Sequence, residues 1–267
     1  MKPKLIITGS AGRMGKRLIA LAIESGRFDL LAAIEKDNHP DIGSDAGLVA
    51  SAGSLGVKIS NKYSAGADVV IDFSQPQALD ATLKYCLENK SALVLGTTGL
   101  DDRQQGEIKK ASQQIPLVYS TNMSVGMNVL FSTVGKFSQL LGDDYDIEIV
   151  EQHHRFKKDA PSGSALTLAR NICESTGRDF KKSVIFGREG KEALRHTGQI
   201  AIHAVRAGDI TGIHSVIFST LGETVSVNHT AHTRDCFAKG ALRAAEWIVG
   251  KKPSLYTMID VLSLAQI

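Results

Sequence analysis

The sequence predicts an α/β protein in which a doubly wound parallel sheet is combined with an α+β region that holds an antiparallel or mixed sheet. Three observations support this prediction. Short apolar runs alternate with helical patterns through the first half of the chain. A glycine-rich turn, Gly9 to Gly15, separates the first apolar run from the first helical pattern. After about residue 123 the rhythm changes, and three strand-like runs follow one another without intervening helices.

The first half of the chain supplies the parallel sheet. Short apolar runs bounded by turn residues are typical of strands that are buried on both faces. The predicted strands are Lys4–Thr8, Asp29–Ile34, Ala67–Phe73, Ala92–Leu95 and Pro116–Ser120. Helical spacing predicts helices at Arg13–Ser25, Gln75–Glu88 and Asp101–Gln113. Asp37–Ser54 is rich in Gly, Ser, Asp and Asn, so it is predicted to be a loop.

The second half begins with a long helical pattern and then becomes rich in strands. Helices are predicted at Val125–Leu141, Ala165–Ser175 and Cys236–Val249. Strand-like alternation at Asp146–Gln152 and β-branched runs further along predict the second sheet. The β-branched runs are Ile200–Arg206, Ile213–Thr220 and Thr224–Thr230.

Composition excludes several classes of protein. The 267 residues carry a formal net charge of +3, and no Lys/Arg tract suggests a nucleic-acid partner. No apolar stretch approaches the length of a membrane span. The three cysteines, Cys86, Cys173 and Cys236, are far apart and have no metal-like spacing, which fits a reducing compartment. We therefore expect a cytoplasmic protein with no membrane partner and no metal.

The glycine-rich turn predicts a nucleotide site. Gly9-Ser10-Ala11-Gly12-Arg13-Met14-Gly15 joins a strand to a helix, where glycines allow the backbone to approach a pyrophosphate. The N-terminus of the helix adds N–H groups and a positive dipole end. The spacing is GxxGxxG instead of the commoner GxGxxG, and the alternative is a glycine turn with no ligand.

Two further features concern the cofactor. Glu35 ends the second predicted strand, where an acidic residue bonds the adenosine ribose and favours NAD(H). Lys36 follows it and would favour the 2′-phosphate of NADP(H), so the choice between NADH and NADPH stays open. The alternative is that both are solvated charges at a strand end. Gly96-Thr97-Thr98-Gly99 and Ser120-Thr121-Asn122-Met123 follow two later strands, at the edge where open α/β sheets bind ligands.

The segment Glu151 to Ala165 carries the candidate chemistry. His153 and His154 can exchange protons near neutral pH, and Lys157 supplies positive charge. Pro161-Ser162-Gly163-Ser164 opens a helical pattern whose first amides could bind an anion. The alternative is a strand with one histidine in the core and one in solvent. A metal site is not expected, because no cysteine or third clustered ligand accompanies the pair.

Together these motifs resemble those of the 4-hydroxy-tetrahydrodipicolinate reductase (dihydrodipicolinate reductase) family of lysine and diaminopimelate biosynthesis. The similarity covers essentially the whole chain. Its most specific part, Glu151 to Ala165, matches the family pattern Glu-x-His-His-x-x-Lys-x-Asp-Ala-Pro-Ser-Gly-Thr-Ala. Ser164 departs from this pattern but keeps the hydroxyl of the usual threonine. Lys36 stands where some members carry arginine, which bears on the choice of cofactor.

The resemblance implies a Rossmann-type dinucleotide-binding domain, residues 1–123 with 234–267, and a substrate-binding and oligomerisation domain, residues 124–233. It implies a homotetramer that uses NADH or NADPH to reduce a small-molecule dicarboxylate, 4-hydroxy-tetrahydrodipicolinate, with loss of water. By the motif match, His153 donates the proton with Lys157 as its charged partner. The substrate carboxylates would be held by His154, Ser162, Gly163 and Ser164. The implied cofactor residues are Gly9, Ser10, Ala11, Gly12, Arg13, Met14, Glu35, Lys36, Gly96, Thr97, Thr98, Ser120, Thr121, Asn122 and Met123.

Two other functions fit parts of the sequence. Another two-domain nicotinamide oxidoreductase, such as an amino-acid or sugar dehydrogenase, would need no dicarboxylate clamp. A nucleotide-sensing regulatory protein would keep Gly9 to Gly15 but would have no need for His153 and Lys157 beside an anion site.

Overall fold

The computed structural model describes residues 1–264 and divides the chain into two compact units. The strands are β1 (Lys4–Thr8), β2 (Asp29–Ile34), β3 (Ile59–Ser60), β4 (Val69–Asp72), β5 (Ala92–Leu95), β6 (Pro116–Tyr119), β7 (Asp146–His153), β8 (Val184–Phe186), β9 (Ile200–Arg206), β10 (Gly212–Thr220), β11 (Glu223–Ala231) and β12 (Ser254–Tyr256). The helices are α1 (Arg13–Ser25), α2 (Ala46–Val49), α3 (Leu79–Asn89), α4 (Asp102–Ser112), α5 (Val125–Leu141), α6 (Gly163–Thr176), α7 (Phe180–Ser183), α8 (Asp235–Ile248) and α9 (Met258–Leu262).

The first unit comprises residues 1–125 and 234–263. Its sheet is entirely parallel and has the order β12-β6-β5-β4-β1-β2-β3. The chain runs outward from β1 to β3 and then returns to the other side of β1 at β4, so the topological switch point lies between β1 and β4. Ligands bind outside the carboxyl ends of the strands at such a point. The predicted doubly wound sheet is confirmed.

Both faces of this sheet are buried, as its apolar runs predict. Leu5 and Ile7 point into a core shared with α1 and α8, whereas Ile6 points into the core on the opposite face, shared with α3 and α4. The alternation follows from the two-residue period of a strand. The sheet thus holds the ends of β1, β2, β4 and β5 at one edge in fixed relative positions.

The second unit comprises residues 126–233 and, of the remaining described residues, Leu264. Its sheet has the order β11-β10-β7-β9-β8, in which β10 runs antiparallel to both neighbours and β7, β9 and β8 run parallel. The predicted mixed sheet is therefore confirmed. One face packs Ile149, Val216 and Phe218 against apolar residues of α5 and α6 in a single core.

The loop predicted at Asp37–Ser54 is wrong in part, because Ala46–Val49 forms the short helix α2. Asp45 caps this helix and also accepts bonds from the N–H groups of Leu55 and Gly56. Partial burial opposes ionisation of Asp45, but these N–H bonds outweigh it and lower its pKa to about 2. A side chain that bonds residues ten positions away creates local order that composition does not reveal. The short elements β3, α7, β8, β12 and α9 were likewise not predicted.

Two helical glycines give a matched test of the packing. A Cβ at Gly240 in α8 would lie 1.7 Å from the carbonyl oxygen of Met123, whereas a Cβ at Gly106 in α4 would meet nothing within 4 Å. We expect Gly240→Ala to destabilise the protein by about 1–3 kcal/mol or more through overpacking. Gly106→Ala should stabilise it by about 0.5–1 kcal/mol, because alanine loses less backbone entropy in a helix. Urea unfolding of the two variants measures both effects, and equal stabilities would contradict the packing of α8.

Candidate active site and cofactor site

The turn between β1 and α1 requires glycine at two positions. Gly9 has φ +75°, and a Cβ there would lie 2.7 Å from the carbonyl oxygen of Phe73. A Cβ at Gly15 would lie 2.1 Å from the carbonyl oxygen of Gly9. No side chain caps α1, and its first turn carries no acidic residue. The turn therefore leaves the positive end of α1 available for an anion.

A cavity of about 810 Å³ opens beside this turn, within the range of small-molecule sites. Of the predicted cofactor residues, it is lined by Gly9, Gly12, Arg13, Met14, Glu35 and Lys36. Phe73, Ser74 and Gln75 line it from the end of β4, and Asn61 and Tyr63 follow β3. The lining thus comes from the ends of strands on both sides of the switch point.

Glu35 is held at the wall of this cavity by two backbone N–H groups. Its carboxylate accepts from Ala11 N at 3.1 Å and from Lys36 N at 3.0 Å. The first of these bonds ties the end of β2 to the glycine turn. Glu35 and Lys36, the two charges predicted to bear on the cofactor ribose, therefore lie at the same cavity.

Arg234 was not singled out from the sequence, yet it lines the same cavity. Burial and then the charge of Arg13 lower the pKa of Arg234, so the two guanidinium groups lie within electrostatic range. Among residues 1–264, no carboxylate forms an ion pair with either arginine. Two cations without a carboxylate beside a helix N-terminus suit a pyrophosphate or phosphate group.

The other predicted cofactor residues do not line this cavity. Ser10 and Ala11 lie within the turn and are buried. Met123 packs into the apolar core with 1% exposure, so its side chain does not face a ligand. Ser120, Thr121 and Asn122 form a bonded turn after β6, in which the Ser120 hydroxyl donates to the Asn122 carbonyl at 2.8 Å.

The Gly96-Thr97-Thr98 turn is fixed by β4. A Cβ at Gly96 would lie 2.3 Å from the ring of Phe73, and the Thr97 hydroxyl donates to Asp72 at 3.0 Å. Asp72 is fully buried and also accepts from Ser74 and Thr82. Thr98 remains exposed at the carboxyl edge of the sheet. These residues therefore form one bonded wall at the ends of β4 and β5.

The second unit contains a buried carboxylate that holds the predicted proton donor. Glu151 and His153 lie on the same face of β7, and His153 Nδ1 is 2.6 Å from Glu151 Oε2. Arg206 on β9 bonds both oxygens of Glu151, at 2.7 and 2.8 Å. The backbone N–H of Ser162 donates to Oε1 at 2.9 Å. Burial opposes ionisation of Glu151, but the bonds from His153, Arg206 and Ser162 outweigh it and lower its pKa to about 2.

Two more histidines lie beside Glu151 and His153 on the neighbouring strands of the sheet. His214 pairs with Glu151 across β10 and β7, and His229 pairs with His214 across β11 and β10. The rings of His153 and His214 meet edge to face at 5.2 Å, and His214 Nε2 lies 3.3 Å from the Ser162 hydroxyl. Burial, and then the charges of His153 and His229, lower the pKa of His214 to about 3. Burial also lowers the pKa of His229. His214 is therefore neutral throughout the physiological pH range.

The predicted substrate residues lie around the start of α6. Lys157 forms an ion pair with the exposed Asp159 at 2.9 Å, and His154 lies just beyond the end of β7. Ser162 is 2% exposed, and its N–H and hydroxyl already bond within the protein. Gly163 is exposed with open space where a Cβ would stand, and Ser164 is half-buried. Of the three turn residues, Gly163 and Ser164 are the ones accessible to an anion.

Residues 1–264 contain no group of three or more His, Cys, Asp or Glu side chains arranged to hold a metal ion. No helix within the described part of the chain is long and apolar enough to cross a membrane.

Comparison with known proteins identifies the family. The family model for the N-terminus of dihydrodipicolinate reductase matches residues 3–123, and the model for its C-terminus matches residues 126–262. The chain belongs to the dihydrodipicolinate reductase family. The 4-hydroxy-tetrahydrodipicolinate reductase of Geotalea uraniireducens (strain Rf4) is 43% identical over 264 residues, which cover 98% of this chain and 99% of that protein. The enzyme of the same name from Syntrophus aciditrophicus (strain SB) is 44% identical over 262 residues, 97% and 98% of the two chains.

The fold of this reductase family is also found among solved structures. A dipicolinate-bound dihydrodipicolinate reductase from Paenisporosarcina sp. TG-14 has a TM-score of 0.71 at 21% identity and covers 97% of this chain and 99% of that one. The predicted family, the fold class and the assignment to the oxidoreductases are thus confirmed. The roles of individual residues stay predictions.

The neutral state of His214 has a measurable consequence for stability. The unfolded side chain gains a proton below about pH 6.5, whereas the folded one resists protonation down to about pH 3. Its contribution to stability is therefore complete above pH 6.5 and is lost as the pH falls from 6.5 towards 3. Between pH 6 and 5 the free energy of unfolding of the wild type should fall by about 1 kcal/mol more than that of His214→Gln. The reason is that uptake of one proton on unfolding changes this free energy by about 1.4 kcal/mol per pH unit.

Urea unfolding at pH 7, 6 and 5 measures this difference. His232→Gln, at an exposed histidine, is the matched control and should leave the pH dependence of the wild type unchanged. Parallel curves for the wild type and His214→Gln would contradict the buried, neutral state of His214.

Proposed function

We propose that this chain reduces 4-hydroxy-tetrahydrodipicolinate to tetrahydrodipicolinate with NADH or NADPH and loss of water, in lysine and diaminopimelate biosynthesis. The observation that carries the proposal is the acid and anion arrangement of the second unit. His153 is bonded to a buried carboxylate, and Lys157 and the open start of α6 at Gly163 lie on the same short segment.

The residues of the first unit suit a dinucleotide. Arg13, Arg234 and the N-terminus of α1 would hold the pyrophosphate or a phosphate, and Glu35 and Lys36 would face the adenosine ribose. The hydride that the reaction needs is supplied by the reduced nicotinamide when it is bound. Since Glu35 favours NADH and Lys36 favours NADPH, we propose that both are used.

His153 would supply the proton. Hydride addition at C4 of a conjugated cyclic imine, from which the hydroxyl has left as water, builds electron density on the ring that a proton must quench. An acid held at that position contributes roughly 10²–10⁴-fold. Lys157, His154 and the amides near Gly163 would bind the two carboxylates of the substrate, with Lys157 exchanging its exposed partner Asp159 for substrate.

The assembly and location are part of the same proposal. Val150, Ile213 and Ile217 lie on the face of the second sheet opposite α5 and α6 and are only half-buried, which supports a homotetramer that covers this face. Sedimentation velocity measures the oligomeric state, and a monomer would contradict the proposal. Cys86, Cys173 and Cys236 form no disulfide within residues 1–264, which supports a reducing, cytoplasmic environment.

The direct test is consumption of NADH and NADPH in parallel assays with freshly generated 4-hydroxy-tetrahydrodipicolinate. We expect turnover with both cofactors and a ratio of kcat/KM values below about a hundredfold, or about 2.7 kcal/mol. A larger ratio would mean that Glu35 or Lys36 does not face the ribose. No turnover, combined with oxidation of an amino acid or sugar by NAD⁺, would overturn the proposed reaction.

The dicarboxylate site has a separate test. Pyridine-2,6-dicarboxylate should compete with substrate, and pyridine-2-carboxylate should bind at least about tenfold more weakly, because the missing carboxylate leaves donors of the occupied site unpaired. Lys157→Met keeps most of the aliphatic stem but removes the charge, so the difference between the inhibitors should shrink. Lys158→Met, at the adjacent exposed lysine, is the matched control. Equal inhibition of the wild type by both compounds would exclude the two-carboxylate clamp.

A further inference from the structure

We infer that Glu151 is a positioning residue that fixes His153 in the tautomer protonated on Nδ1, so that Nε2 is the atom that exchanges a proton with substrate. The inference rests on the proposed role of His153 as proton donor. It assigns functions to Glu151 and to Arg206, which lies on a different strand and 55 residues further along the chain.

Glu151 carries a negative charge. The side chain is fully buried, and an isolated carboxylate would be neutral there. Arg206 bonds both of its oxygens in the bidentate geometry that favours the carboxylate form, and the N–H of Ser162 adds a third bond. These bonds therefore hold Glu151 in the ionised form.

The charge on Glu151 determines which nitrogen of His153 carries the proton. An ionised carboxylate only accepts hydrogen bonds, so the nitrogen 2.6 Å away must carry the proton. Nδ1–H of His153 therefore donates to Glu151. In the neutral ring Nε2 is then the basic atom, and in the imidazolium ion Nε2–H is the proton that can be given away. The arrangement has the logic of a carboxylate that orients a catalytic histidine.

The surroundings of Nε2 of His153 differ from those of Nδ1. Gly212, at the start of β10, lies beside Nε2, and a Cβ there would be only 3.3 Å from that atom. The glycine keeps this side of the ring uncrowded, while Glu151 occupies the Nδ1 side. The two nitrogen atoms of His153 thus have different surroundings, Nδ1 next to a fixed acceptor and Nε2 next to a glycine.

The surrounding charges single out Glu151 as the group that controls His153. The charged and titratable side chains around His153 are Glu151 on its own strand, Arg206 on β9, His214 on β10, His229 on β11 and the Lys157–Asp159 pair on the following loop. His214 is neutral, and Lys157 has Asp159 as its partner. Glu151 is the carboxylate that bonds the ring directly.

The test compares Glu151→Gln with Glu148→Gln. Glu148 is a close match, because it also lies on β7, is bonded by two arginines, Arg188 and Arg195, and has a histidine, His203, 2.6 Å away. It differs in that it lies on the opposite face of the strand. Removing its charge should leave the pH profile of kcat/KM unchanged.

We expect Glu151→Gln to lower kcat by at least about tenfold with little change in KM for the cofactor. The pH above which kcat/KM falls should move down by about one to two units, because the protonated ring loses a charged hydrogen-bond partner. Glu151→Asp, which keeps the charge, should restore most of this shift. A lower kcat with the pH profile of the wild type would show a merely structural role and would overturn the inference.

A measurement on the unmodified protein covers the case in which Glu151→Gln does not fold. In ¹⁵N-histidine-labelled protein, long-range ¹H–¹⁵N couplings distinguish the two neutral tautomers, and His153→Gln assigns the signal. The inference requires Nδ1–H at alkaline pH, and the Nε2–H tautomer would overturn it. If His153→Gln instead keeps the wild-type kcat, the proposed proton donor is wrong, which is a different outcome from failure of the Glu151 inference.

Discussion

The second unit depends on one buried carboxylate. Glu151 brings together the end of β7, Arg206 of β9 and the N-terminus of α6 at Ser162, because each of these elements supplies a donor that Glu151 requires. A buried ion pair adds little net stability, since desolvation offsets much of the attraction. Removing one partner, however, leaves an uncompensated charge in the interior. The bonds of Glu151 therefore act mainly on geometry, and they determine how His153 and the start of α6 are held.

In the first unit, by contrast, the buried carboxylate is not paired with arginine. Asp72 is buried at the end of β4, but hydroxyl groups and a backbone N–H satisfy it instead of a cation. Glu35 is likewise held by backbone N–H groups. Neutral donors satisfy both carboxylates. Arg13 and Arg234 therefore form no ion pair within residues 1–264, and their positive charges remain at the cavity. That distribution suits a unit whose proposed ligand is a polyanion.

Local patterns in the sequence predicted most of the fold but only part of the site. Strands such as Lys4–Thr8 and Ala92–Leu95 have the predicted bounds, because an apolar run must be buried wherever it lies. The helix at Ala46–Val49 was missed because it depends on bonds to Leu55 and Gly56. His153 and Lys157 lie on one short segment and could be found by inspection. Arg206 and His214 could not, since strand register alone brings them beside Glu151.

Strand register places His214 and His229 next to His153, where additional positive charges would repel one another. Burial, however, keeps His214 neutral and disfavours the charge on His229. Arg206 and Lys157 each have a carboxylate partner, Arg206 the buried Glu151 and Lys157 the exposed Asp159. A dicarboxylate cannot displace the buried partner, which has four bonds, but it can compete with the exposed one. Burial therefore distinguishes the two cations: Arg206 stays paired with Glu151, whereas Lys157, whose partner is exposed, is free to take its proposed role in binding the substrate.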